Sequence, residues 1–80
     1  MEVQREINEI DIKRFDFTKS ELDYILENAN FTIEQEKIFK MLTSKYGRQS
    51  IINISIKMNM SESTVKRRIK QIKNKILRLL

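Results

Sequence analysis

The side chains best suited to chemistry lie in residues 61–80, SESTVKRRIKQIKNKILRLL, which hold seven lysines and arginines against one acid, Glu62. Their chemistry is recognition rather than bond making. Ammonium and guanidinium donors carried on a helix can meet phosphate oxygens and the acceptor edges of bases. At about 100° per residue, Val65, Ile69, Ile72 and Ile76 fall on one helical face. Ser63, Arg67, Lys70, Gln71, Asn74 and Arg78 fall on the opposite face. One side suits burial in a small core, and the other suits a negatively charged partner.

Other chemistries lack their residues. The 80-residue chain has no Cys and no His, which removes thiolate and imidazole as metal ligands and the commonest general base. Its single Gly cannot build a glycine-rich phosphate loop. Nothing gathers its eleven carboxylates into a pocket, so no enzyme, cofactor or metal site is expected. No apolar run approaches the roughly 20 residues of a membrane span. The N-terminus lacks the basic start and apolar middle of a signal peptide. A cytoplasmic protein is expected.

The charge is divided along the chain. Residues 1–36 hold ten acids and four bases, a net −6, whereas residues 37–80 hold twelve bases and one acid, a net +11. A basic half of this density is the electrostatic footprint of a nucleic-acid binder.

Residues 1–16 fit a short amphipathic helix from about Glu2 to Lys13, with Val3, Ile7 and Ile10 on one face. The spacing of Ile10, Ile12, Phe15 and Phe17 also permits a strand-like start. In FTKSEL, Thr18 and Glu21 have the spacing of a capping box, with Phe17 and Leu22 placed as a hydrophobic staple. That helix should run through Leu22, Ile25 and Leu26 to about Asn28, with Asn28 and Asn30 suited to the turn. FTIEQEKIFKMLTSKYG repeats the device with Thr32 and Gln35. Ile38, Phe39, Leu42 and Tyr46 form its buried stripe beside Met41, Lys45 lies in the last turn, and Gly47 is the terminator.

RQSIINISIKM can be read two ways. Ile52, Ile54 and Ile56 alternate with polar residues like a strand, but Ser50 is a good cap and Ile51, Ile54 and Met58 share a helical face. The following residues favour the helix. Residues 50–72 read as one unit: a helix of about two turns, a tight turn at Asn59, Met60 and Ser61, and a long basic helix. Ser55 is small where the helices approach. Asn59 tolerates positive φ, Ser61 caps the second helix, and Val65 locks it against Ile54 and Met58. These are the spacings of a helix-turn-helix.

FTIEQEKIFKML resembles the Leu-Thr-x-x-Glu-x-x-Ile-Leu opening of the sigma-factor region 4 and LuxR-type helix-turn-helix superfamily. MSESTVKRRIKQIKNKI resembles the scanning-turn-recognition end of the same domains, extracytoplasmic-type sigma factors especially. The resemblance covers about fifty residues, Phe31 to Leu79. It implies a compact helical DNA-binding domain that recognises a promoter or operator element, with RNA polymerase as a second partner. The chain departs from the pattern in two ways. Eighty residues leave no room for a promoter-melting domain, and no further helix follows the recognition helix.

The expected fold is therefore all-α, a small bundle of four to five helices containing a helix-turn-helix. Residues 1–30 would form acidic N-terminal helices for cover or oligomerisation, and residues 31–80 the DNA-binding unit, with its recognition helix at about 62–79. Ser63, Lys66, Arg67, Lys70 and Gln71 are the candidates for base contact, Arg67 foremost because its planar fork matches a guanine edge. Arg68, Lys73, Lys75 and Thr64, with Arg48, Gln49 and Ser50, are candidates for phosphate contact. The expected function is sequence-specific regulation of transcription on double-stranded DNA. The alternative is a module docking on RNA polymerase or another regulator. A homodimer through Val3, Ile7 and Ile10 or through Leu77, Leu79 and Leu80 would pair two half-sites. A membrane-surface role is disfavoured, because cations closely border the apolar stripe and no Trp anchors it.

Overall fold

The structure, a computed structural model, describes residues 15–43 and 49–79. It is all-helical among these residues, with α1 at Lys19–Asn28, α2 at Ile33–Leu42, α3 at Ile51–Met58 and α4 at Glu62–Leu77. The proposed helix at residues 2–13 and its apolar face lie outside the described residues, as do Arg48, Lys45, Tyr46, Gly47 and Leu80.

Each helix starts where a side chain can satisfy its free amides. Thr18 accepts from the Glu21 amide at 3.2 Å while Glu21 accepts from the Thr18 amide at 2.7 Å. Thr32 and Gln35 make the same reciprocal pair, both bonds at 3.1 Å. Ser50 and Ser61 cap α3 and α4 by accepting from Asn53 and Thr64. Phe17 and Leu22, on either side of the Thr18 cap, are both buried as a staple requires.

The helices end for different reasons. Asn30, in the α1–α2 connection, has φ 56°, and Asn59, closing α3, has φ 55° and ψ 48°. Both are left-handed positions that Asn tolerates through its short polar side chain. The α3–α4 turn is closed by the Met60 amide donating to the Ser55 carbonyl at 2.9 Å. α2 stops earlier than expected, at Leu42 rather than near Gly47. Thr43 turns extended (φ −83°, ψ 142°), fully buried, and its hydroxyl donates to the Lys40 carbonyl. The Gln49 amide then donates to the Met41 carbonyl at 2.8 Å, satisfying a terminal acceptor from across the connection. Residues 51–58 take the helical reading rather than the strand alternative, since α3 spans all eight of them.

One hydrophobic core receives side chains from all four helices, so residues on either side of position 30 share it. Phe15, Phe17, Leu22, Ile25, Ile38, Phe39, Leu42, Ile54, Val65, Ile72 and Ile76 are buried there, and Ile51, Met58, Met60 and Ile69 pack against it. Phe39 is the hub of an aromatic cluster, with ring centroids 5.2 Å from Phe31, 6.0 Å from Phe17 and 6.1 Å from Phe15. Phe15 is itself left-handed, with φ 53°. That conformation costs a residue with a Cβ about 1–2 kcal/mol, which ring contacts of about 0.5–1.5 kcal/mol each and burial of the side chain offset. α4 lies against both α2 and α3.

Because Asn59 sets the turn between α3 and α4, its conformation is testable. Asn59→Gly should leave stability unchanged or raise it, while Asn59→Val should lower it by about 1–2 kcal/mol, read from urea unfolding midpoints. Equal effects of the two substitutions would show that the left-handed turn is not populated.

Candidate nucleic-acid interface

α4 begins on the Ser61 cap, whose hydroxyl also lies 2.9 Å from the Thr64 hydroxyl. Its sixteen residues make a rod of roughly 24 Å at 1.5 Å per residue. Val65, Ile72 and Ile76 seat it completely in the core, with Ile69 partly buried beside them. This seating turns Ser63, Lys66, Arg67, Lys70, Asn74 and Arg78 outward, and all six are exposed. No ion pair ties Lys66, Arg67, Lys70 or Arg78 to another described residue. Like charges crowded on one face repel each other, and a polyanion would relieve that repulsion.

Of the remaining polar residues of α4, Gln71 is placed differently from the sequence expectation, while Arg68, Lys73 and Lys75 lie on the flanks as expected and have partners within the chain. Gln71, expected on the outer face, is half-buried, and its Oε1 accepts from Gln35 Nε2 at 3.4 Å and from Arg68 Nη1 at 3.5 Å. Arg68, expected at a phosphate, donates from Nε to Glu34 Oε1 at 2.5 Å. Lys75 donates to Gln35 Oε1 at 2.6 Å and to the Asn30 carbonyl at 2.8 Å. Lys73, on the other flank, stands 5.7 Å from the centroid of the Phe15 ring, within cation–π range. The physical reason is shared. The start of α2 lies along one flank of α4 and the Phe15 turn along the other, and these cations find their partners there.

Arg68 and Glu34 are about a third exposed, at 31% and 38%. An ion pair so open to water contributes at most about 1 kcal/mol, so its main consequence is geometric. Gln35 is firmer, only 6% exposed and held by its own capping box.

At the start of the first helix of the pair, Ser50 and Gln49 differ in exposure. Ser50 is exposed at the start of α3, and its hydroxyl oxygen serves as the cap. Gln49 is half-buried, with Oε1 withdrawn from solvent and unbonded among the described residues. Thr64 is half-buried with its hydroxyl against Ser61. The sequence reading missed two exposed features of α3. Lys57, in its last turn, is an exposed cation. Ile52 and Ile56, one turn apart, are 58% and 72% exposed, a small apolar strip. Its signal was the same Ile alternation that suggested a strand.

At the end of α4, Leu77 is 44% exposed while Leu79 packs on the core. Among the described residues, no helix is long and apolar enough to cross a membrane. Comparison with known protein families, curated proteins and solved structures found no match.

The outward row of α4 has no visible structural duty. Arg67→Ala and Lys70→Ala should therefore each change unfolding free energy by less than about 0.5 kcal/mol, whereas Ile72→Ala should cost about 2–5 kcal/mol. Thermal melts of the three variants check this. A large loss at Arg67 or Lys70 would mean that the row is part of the fold.

Proposed function

We propose that the chain is a sequence-specific double-stranded DNA-binding regulator of transcription, with α4 as the recognition helix of a helix-turn-helix. The observation that carries this reading is the exposed, unpaired row Ser63, Lys66, Arg67 and Lys70 on the first turns of a helix capped directly after the Asn59 turn. In such a pair the second helix enters the major groove by its N-terminal residues while the first crosses the backbone. A groove about 12 Å wide accepts one helix of 10–12 Å diameter.

In this reading Arg67 is the foremost base reader, with Lys66, Lys70 and Ser63 beside it. The free amides at the start of α3, the Ser50 hydroxyl and Lys57 face the backbone, and Arg78 extends the positive row. The likeness of FTIEQEKIFKML and MSESTVKRRIKQIKNKI to sigma-factor region 4 and LuxR-type domains supports the same reading.

A second reading, docking on RNA polymerase or another regulator, draws support from the exposed Ile52 and Ile56 and the exposed acids Asp23 and Glu27 of α1. The two readings separate in a polymerase pull-down with Ile56→Glu. Lost capture with intact duplex binding would assign the strip to a protein partner.

Titration of duplexes selected from a random pool, at several salt concentrations, tests the leading reading. The logarithm of affinity should fall linearly with the logarithm of salt concentration, with a slope of about −0.9 per phosphate contacted. Arg67→Ala should cost about 1–3 kcal/mol on the selected site and relax preference at one base position. Failure to enrich any duplex, with no salt-sensitive binding, would refute the proposal.

A further inference from the structure

Arg68, Gln71 and Lys75 form a row along one flank of α4, and all three are engaged by residues at or just before the start of α2. The two charged members lie seven residues apart, roughly 10.5 Å along the helix. Glu34 holds the upper one. Gln35 Oε1 and the Asn30 carbonyl hold the lower one, at 2.6 and 2.8 Å. Gln35 is itself fixed, because the same Oε1 accepts from the Thr32 amide at 3.1 Å.

The buried face of α4 sets which side turns inward, through Val65, Ile72 and Ile76 with Ile69 beside them. Small rotations within that seat meet only aliphatic contacts, which lack the directionality of a charge-assisted hydrogen bond. Roll matters for reading bases. A rotation of about 10° carries a group roughly 6 Å from the axis through roughly 1 Å, which is enough to break a hydrogen bond of 2.7–3.2 Å. Two directional anchors on one flank, at different heights, oppose those small rotations.

We infer that Arg68 and Lys75 are positioning residues: the start of α2, through Glu34, Gln35 and the Asn30 carbonyl, fixes the roll of α4 and so aims Arg67 and Lys70. The inference rests on the duplex-binding reading above and deepens it. It assigns to specificity two cations that a charge count would assign to the phosphate backbone. The capping box of α2 thereby acts twice, once on its own helix and once on the orientation of another.

The experiment compares the full chain with Lys75→Met, Arg68→Glu and the exchanged pair Glu34→Arg with Arg68→Glu. Each is titrated with the duplex selected by the wild type and with a scrambled one across a salt series, alongside a melting curve. Lys75→Met keeps the aliphatic stem and removes the anchor. It should lower discrimination between the duplexes about tenfold while leaving the salt slope and the affinity for the scrambled duplex unchanged. Arg68→Glu, which sets two carboxylates together, should also lose discrimination, and the exchanged pair should recover most of it. Salt slopes flattened by about 0.9 in Lys75→Met would show Lys75 on a phosphate and overturn the inference. So would undiminished discrimination in Lys75→Met and Arg68→Glu, or an exchanged pair no better than Arg68→Glu. Absence of wild-type binding to any duplex would instead remove the reading beneath it.

Discussion

Val65, Ile72 and Ile76 are withdrawn from water completely on a helix that also carries six lysines and arginines, and this separation of faces constrains everything around it. Burying each aliphatic side chain contributes about 1.5–3 kcal/mol, and a small core cannot forgo it. α2 and α3 must therefore pack where that stripe is, and the cations of α4 must go elsewhere. Some turn fully outward. Those on the flanks meet whatever the neighbouring elements present there: a carboxylate, a capping carboxamide, a backbone carbonyl, an aromatic face.

The flanks thus divide the cations of α4 and its C-cap Arg78 into two kinds. Lys66, Arg67, Lys70 and Arg78 keep their hydration and remain available to an external anion. Arg68, Lys73 and Lys75 already have internal partners and would have to exchange them. Net charge alone does not distinguish these groups, although both attract a polyanion at a distance. The acids near the start of α2 narrow the positive field further, since Glu34 sits beside Arg68 on the flank it neutralises.

What was legible in the sequence was local. Thr18, Thr32, Ser50 and Ser61 announced four helix starts, because a cap needs only residues three positions away. Asn59 announced the turn because few residues accept its backbone angles. The apolar stripe of α4 followed from period alone. What was not legible depended on residues distant in sequence. A helical wheel places Gln71 outward, but the start of α2 reaches it from 36 positions away. Lys75 meets Gln35 and Asn30 across separations of 40 and 45. Thr43 could have continued a helix; its burial and the Gln49–Met41 bond end it. The left-handed Phe15 is held by an aromatic cluster that no local pattern encodes.

The outward row at the start of α4 is the surface proposed to meet DNA. Mapping backbone amide shifts of the isotopically labelled chain during titration with a selected duplex tests it most directly. Shifts should concentrate at Ser63, Lys66, Arg67 and Lys70 and extend to the start of α3, with little change across α1. Shifts centred on α1 or on Ile52 and Ile56, with the row of α4 unmoved, would contradict it.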